Sequence, residues 1–399
     1  MIWIAWIEIV WQHRAAFSNI KTFFWFIAIL VGISVRQDLM GLTSIVRALG
    51  LKGSCYQSVL DFFHSNAIDL DHLTKIWSEI CFKFISTFIS KCNGLPILIV
   101  DGIKAPKEGR RMPGVKLLHQ SSQNNSKAEY CYGHSCQGLS LLVEAGASFL
   151  SIPLVMRIQE GVGHKHKSII DKVIDLIHIC GLKGGAYIVG DAYYFSGKLA
   201  KMLLKMNKYL ITRVRKNAVA FVPNIVKQKG RGRPKKYGNK IKLQKIFEED
   251  GFIITKVLLY GISDQVEIKT IDLIQKKCGQ LVRYIFVKMS NGNNVIFAST
   301  DLNLTAEQII EIYSCRFKIE ASFKSFVHQI GGFTYRFWSK SVEKSRKKDI
   351  EKRNSKKEFC YQLYIQICVI AQGLINYLAI TKPKEVWNGC GTWLRTIRI

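Results

Sequence analysis

The chain has 399 residues, 48% of them hydrophobic, which is enough for two or three domains around a sizeable core and excludes a disordered basic tail. Lysine and arginine outnumber aspartate and glutamate 58 to 29, a formal charge of +29, so the surface attracts a polyanion, nucleic acid before an anionic membrane. Two charge-free stretches bear on the membrane alternative. Residues 22–35 are too short to cross a bilayer, which takes ~20 residues. Residues 359–381 are long enough, but Gln362, Gln366, Gln372 and Asn376 fall on about one third of a helical wheel, the pattern of an amphipathic core helix. No membrane partner is expected. Glu8 interrupts the apolar N-terminus and the basic residues follow the apolar run, so no export signal is expected either. The eleven cysteines include no CxxC pair, and Cys131, His134 and Cys136 lack a second pair of ligands. The thiols therefore read as small buried hydrophobes of a reducing cytoplasm.

Residues 1–93 read as a helical N-terminal domain. Between Leu42 and Ser65, Gly50 and Gly53 bracket a turn between two amphipathic pieces, the layout of a DNA-binding helix-turn-helix and equally of an ordinary bundle hairpin. The run LPILIVD, residues 95–101, predicts a buried strand ending in an acid, and GLSLLVEA from Gly138 and FLSIPLVMRI from Phe149 predict two more. A helix over 167–180, a strand AYIVGD ending at Asp191, a helix SGKLAKMLLKMN and a strand YLITRV follow. Three strands, helix, strand, helix, strand predicts an α/β fold over residues 94–216, a ribonuclease-H-like mixed sheet flanked by helices. Residues 217–303 change to short β-like pieces, FIITKVLLYG, VEIKTIDLI, LVRYIFVKM and NNVIFAST, and predict a β-rich insertion carrying a basic arm. Helical periodicity returns over 304–338, opened by a capping box of Thr305 and Gln308 and stopped after Ile330 by Gly331 and Gly332. In residues 339–399, a basic, mobile, DNA-facing connector precedes a C-terminal helix. Its first part, 339–358, holds nine basic and four acidic residues.

Three acids stand out. Asp101 and Asp191 each end an apolar strand, where a carboxylate is costly to bury without a positive partner, although either alone reads as well as a turn cap. Two acids delivered to one sheet edge favour a divalent cation site. A third ligand would come from a helix crossing that edge, and Glu320 is the candidate. Tyr313, Arg316, Glu320 and Lys324 recur at intervals of three and four on one helical face, which is also the spacing of a solvated ion-pair ladder.

The stretch YSCRFKIEASFKSFV, with VDGIK and GDAYY, resembles the DDE transposases of bacterial insertion sequences, in the branch marked by Tyr-x2-Arg-x3-Glu-x6-Lys. The resemblance spans roughly Leu95 to Gly332 and includes a β-rich insertion before the glutamate. One position departs: Val327 stands where that pattern has lysine, with Lys324 one turn earlier. The resemblance implies catalytic and metal-binding roles for Asp101, Asp191 and Glu320 with two Mg²⁺ ions, or Mn²⁺ in their place, and DNA contacts for Tyr313, Arg316 and Lys324. It implies cleavage at the terminal inverted repeats of a mobile element, joining to target DNA, a homodimer on double-stranded DNA, and a bacterial cytoplasm with action at the nucleoid. A catalytically inactive or domesticated DNA-binding protein, or a metal-dependent nuclease that does not join, shares most of these features.

The basic residues are unevenly placed. Between Asp191 and Glu248 there are 16 lysines and arginines and no acid. Within this stretch KGRGRPKKYG offers Arg231, Arg233, Lys235 and Lys236 on an extended arm, suited to a minor groove or to phosphates alone. A second cluster, KAPKEGRRMPGVK, follows Asp101 and offers Lys104, Arg110 and Arg111 for phosphate contacts. His119 and His134 lie close by in sequence, each readable as assisting the site or as structural.

Overall fold

A computed structural model describes residues 2–110, 112–119, 128–146, 148–159, 168–224, 237–259, 262–336 and 347–389. Five helices open the chain: α1 Ile2–Trp11, α2 Ile20–Val35, α3 Leu42–Ala48, α4 Cys55–Phe63 and α5 Leu70–Phe84. Polar caps fix two starts, since Asn19 Oδ1 accepts from the Thr22 amide at 2.8 Å and Asp69 Oδ1 from the His72 amide at 2.9 Å. The strands β1 Lys91–Cys92, β2 Leu95–Pro106, β3 Lys116–His119, β4 Tyr130–Ala145 and β5 Ser148–Ile158 come next. Then follow α6 Ile169–Ile179, β6 Ala186–Gly190, α7 Gly197–Lys205 and β7 Lys208–Val214. The insertion contributes β8 Val219–Pro223, β9 Tyr237–Lys242, β10 Ile253–Leu259, β11 Ile262–Gln275, β12 Gln280–Lys288 and β13 Asn294–Ser299. The last helices are α8 Ala306–Ser314, α9 Lys318–Ser325, α10 Lys347–Thr381 and α11 Pro383–Gly389.

The chain forms two compact units, one of residues 1–88, 102–182 and 321–399, the other of 89–101 and 183–320. In the first, β4 and β5 pair antiparallel from Cys136↔Ile158 to Ala145↔Ser148, and β3 pairs with the start of β4. β4 lies beside the second half of β2, where a Cβ on Gly133 would stand 2.4 Å from the Ala105 carbonyl oxygen, so only glycine fits. In the second unit the first half of β2 runs parallel to β6, and β6 parallel to β7. Antiparallel β13, β12 and β11 continue the sheet, and β11 carries β10 and β8. Within the second unit, parallel β2, β6 and β7 with antiparallel β13 beside them make the mixed sheet that the sequence predicts. A core of Val214, Leu273, Tyr284, Phe286 and Ile296 holds the β-rich part together.

The stripe of glutamines on α10 has a use that periodicity alone does not reveal. Gln362, Gln366 and Gln372 are buried. Among the described residues no second strand pairs with β5, and α10 packs along it instead. Gln362 Oε1 accepts from the Ile158 amide at 3.1 Å, and Gln366 Nε2 donates to the Leu154 carbonyl at 3.1 Å. Arg157 donates to its neighbour Met156's carbonyl, to Gln366 Oε1 at 2.6 Å and to Thr74 at 2.5 Å. Burial lowers the Arg157 pKa to about 10, against the opposing charge of Asp71, and leaves it protonated at neutral pH. Gln362 and Gln366 therefore take the place of a neighbour strand along this edge of β5, while Gln372 donates to the Ser322 carbonyl at 2.9 Å. Lys356–Thr381 is apolar and long enough to cross a membrane, but 72% of its most apolar window is buried inside the protein.

The helical run expected from Thr305 to Ile330 begins with the Thr305–Gln308 capping box and ends at Gly331 in left-handed conformation, but it is tightened at Cys315–Phe317 into 3₁₀ form and widened at Phe326–Ile330 into π form. Arg36, buried without an acid among its hydrogen-bond partners, donates to the carbonyls of Ile330, Gly331 and Gly41 and so closes the end of that helix. Of the connector expected over 339–358, residues 339–346 lie outside the described residues, and from Lys347 onward it is helical as the start of α10.

Replacing Gln366 with leucine keeps the volume but strands the Leu154 carbonyl and one Arg157 donor. The loss in urea unfolding free energy is expected at about 2–4 kcal/mol, as for other buried polar groups left without a partner. A change below about 0.5 kcal/mol would show that the glutamine bonds are dispensable.

Candidate active site

All three expected acids lie in the second unit. The β2–β6 register pairs Ile97 with Tyr187 and Ile99 with Val189. Carried on by two residues, it sets Asp101 level with Asp191, which directly follows β6; the strand expected to end at Asp101 instead runs on to Pro106, so this acid lies within β2, where its parallel pairing with β6 ends. Asp191 also shapes its own turn: its Oδ1 accepts from the Tyr193 amide at 2.8 Å and its carbonyl from the Tyr194 amide at 3.0 Å. The turn-capping and cation-binding readings of this aspartate are thus compatible.

Glu320 lies in the first turn of α9, just beyond the 3₁₀ segment that holds Arg316. Arg316 joins two of the acids, with Nη1 donating to Asp101 Oδ2 at 2.7 Å and Nη2 to Glu320 Oε1 at 2.6 Å. Asp101 and Arg316 are only 18% and 20% exposed, against 53% for Glu320, so the Asp101 pair is the stronger electrostatic contact. Burial works against the guanidinium charge, but Asp101 first, then Tyr313 and Glu320, hold its pKa well above the ordinary value. The ladder expected from the spacing is therefore only part of the arrangement: Arg316 pairs with Glu320 four residues on and with Asp101 on a distant strand.

Tyr194 is a member of this site that sequence reasoning left without a role, although GDAYY contains it. It is buried, and its hydroxyl is held neutral by burial above all, then by the negative charges of Asp101 and Asp191. One phenol thus lies within electrostatic reach of both aspartates. Tyr313 packs its ring on Phe297, with centroids 4.8 Å apart.

The other expected contacts fall in the first unit or outside the described residues. Lys324 is exposed on α9, and Val327 is half-buried. Lys104 donates to the His119 carbonyl, and Arg110 lies over the Tyr132 ring, 4.7 Å from its centroid. Arg111, Arg231, Arg233, Lys235 and Lys236 lie outside the described residues. His134 is buried, with Nε2 donating to the Pro113 carbonyl at 2.9 Å and Nδ1 accepting from the Tyr335 hydroxyl at 2.6 Å. It is a structural histidine. His119 is exposed and faces Glu129 at 3.6 Å.

Among the described residues no three His, Cys, Asp or Glu side chains form a group able to hold a metal ion. The donor set nevertheless fits hard divalent cations, since three carboxylates bring oxygen ligands and three negative charges against the single charge of Arg316. In the arrangement observed, the guanidinium provides the compensating positive charge.

A sequence profile described as "Transposase DDE domain" matches residues 93–344, more than half of the chain. No curated protein matches. Among solved structures, a chain of piggyBac transposase in a synaptic complex with hairpin DNA aligns over 94% of this chain and 74% of its own. Its sequence identity is 13% and its TM-score 0.37, a likeness too distant to transfer fold or activity.

The buried histidines give the protein a pH dependence. Burial lowers the pKa of His134 to about 4 against the Pro113 hydrogen bond, and that of His13 to about 4 against the bond to Val10. Both are neutral in the folded chain, and on unfolding below the ordinary value of 6.5 both gain a proton. Their contribution to stability is complete above pH 6.5 and declines as pH falls toward 4, by about 1.4 kcal/mol per pH unit for each. Urea titrations between pH 7 and 5 should show this slope, reduced by about half in His134→Gln; an unchanged slope would mean that His134 is not the group responsible.

Proposed function

Because the chain belongs to the DDE transposase family, we propose that it cuts the ends of a mobile DNA element and joins them to target DNA by displacement at phosphorus. The observation that carries this reading is the tie of Arg316 to Asp101 and Glu320, with Asp191 level with Asp101 on the neighbouring parallel strand. Such a set of acids has a purpose on a chain of charge +29 if it binds cations beside a phosphodiester.

Asp101, Asp191 and Glu320 would hold two Mg²⁺ ions, or Mn²⁺. Bound there, divalent cations lower the pKa of water or of a 3′-hydroxyl and neutralise the charge that builds up at the phosphoryl oxygens. Arg316 orients Glu320 through its second nitrogen and offers a phosphate a planar pair of donors when the acids are otherwise compensated. The neutral Tyr194 hydroxyl can hold its proton beside the two aspartates without adding charge. Lys104, Arg110, Arg111 and Lys324 supply phosphate contacts, and the arm with Arg231, Arg233, Lys235 and Lys236 adds a second track for the duplex. The partners are the terminal inverted repeats and target DNA, with a homodimer bridging two ends.

Glu320→Gln keeps size and hydrogen bonding but removes a charge. Mg²⁺-dependent nicking of an end-containing duplex should fall by at least about a thousandfold, while metal-free duplex binding stays level or tightens. Asp101→Asn and Asp191→Asn should lose as much, and double variants hardly more, because the acids act as one unit. Near-normal cutting by Glu320→Gln would move the third ligand elsewhere on the helix.

Arg231→Ala with Arg233→Ala should weaken duplex binding and flatten its dependence on log salt by about one to two units, since each neutralised phosphate contributes ~0.9. An unchanged salt slope would take the arm off the DNA surface.

A further inference from the structure

The first unit holds a cleft of about 540 Å³, the size of a small-molecule site, walled by four separate stretches of chain. They are the turn into α3 with that helix's first turns, the loop after β2, the segment that follows the π turn and the part of α10 that carries Lys357 and Tyr361. Met40, Met112 and Phe333 give it an apolar face, and Met40 is 68% exposed there. The charged residues are Arg47, Lys107, Arg336 and Lys357, against the single acid Glu108. Arg47 is engaged with Asp38 at 3.0 Å, which leaves Lys107, Arg336 and Lys357 as the cations with no acid paired to them among the described contacts.

Lys107 is the built part of this site. Its Nζ lies 3.6 Å from the centroid of the Tyr335 ring and donates to the Phe333 carbonyl. Tyr335 is in turn fixed by the His134 hydrogen bond and by stacking on Tyr361, centroids 4.9 Å apart at 23°. Burial, chiefly, brings the Lys107 pKa down to about 8. An ammonium so poorly solvated gains more from an incoming anion than a surface lysine does.

An inorganic anion would leave the apolar face unused, an apolar ligand would leave Lys107 and Arg336 uncompensated, and a duplex is too wide to enter. A phosphate attached to a flat, largely apolar ring satisfies all three constraints. We propose that the cleft takes one unpaired nucleotide of a DNA strand, its base against Met40, Met112 and Phe333 and its phosphate on Lys107, Arg336 and Lys357. The proposal rests on the DNA reading above and adds to it a site for a base out of the double helix.

The test measures binding by the full-length chain, without divalent metal, of three probes: a thymidine 15-mer, an abasic phosphodiester strand of equal length, and dTMP. The wild type should prefer the 15-mer to the abasic strand by about tenfold, as stacking on a protein surface allows. Met40→Ser with Phe333→Ala should abolish that preference and leave abasic binding unchanged. Met40→Ser alone, at an exposed position, should reduce it without affecting the thermal melt. Arg336→Ser with Lys357→Ser should weaken both strands. A preference that survives all these variants would overturn the inference while the wild type still binds DNA. If the wild type binds no strand and no duplex, the DNA reading falls as well. If dTMP binds as tightly as the 15-mer and is lost in the same variants, the cleft serves a free nucleotide and the strand assignment is wrong.

Discussion

Carboxylates drawn partly out of water at the end of a sheet need positive charge, and Arg316 provides it to two of them at once. Its guanidinium reaches Asp101 at 2.7 Å and Glu320 at 2.6 Å, from within a turn of 3₁₀ form. The planar fork suits this task, because two nitrogens can serve two separate acids without either bond being bent. A lysine in the same place could compensate charge but not fix two directions. The local change of helix type accompanies this geometry, since Arg316 lies within the tightened segment and Glu320 in the first turn of the regular helix after it.

Much of the fold was legible because burial writes itself as apolar runs. LPILIVD and AYIVGD read as strands, and β2 and β6 are there, with Asp191 directly after β6 and Asp101 inside β2, which runs on to Pro106. The insertion's four long strands and the Thr305 cap were equally visible, one by alternation and the other by local hydrogen bonding. Short pairings were not: β1 has two residues and β3 four, too few to establish a period. Changes from α to 3₁₀ and π form were also hidden, because every residue involved suits a regular helix.

In the site, local spacing exposed the Arg316–Glu320 contact, whereas the Arg316–Asp101 contact joins residues 215 apart and needs the fold to be known. Tyr194 illustrates the same limit. Its position in GDAYY gives no hint that its hydroxyl comes under the charge of both aspartates, since that depends on the parallel register of β2 with β6. The polar stripe of α10 was seen correctly as a stripe, but its partner was not water. It was the edge of β5 that no strand covers among the described residues, which only the strand order identifies.

That edge has a history during synthesis. Gln366 and the Leu154 carbonyl it answers are 212 residues apart, so β5 leaves the ribosome long before its cover exists. At ~5–20 residues per second the interval is on the order of 10 to 40 seconds. During that time an apolar strand offers open amides and carbonyls to any neighbouring chain, the condition under which strands add across molecules and aggregate. Pro153, which has no amide hydrogen to offer, and the positive charge of Arg157 make that edge less receptive meanwhile.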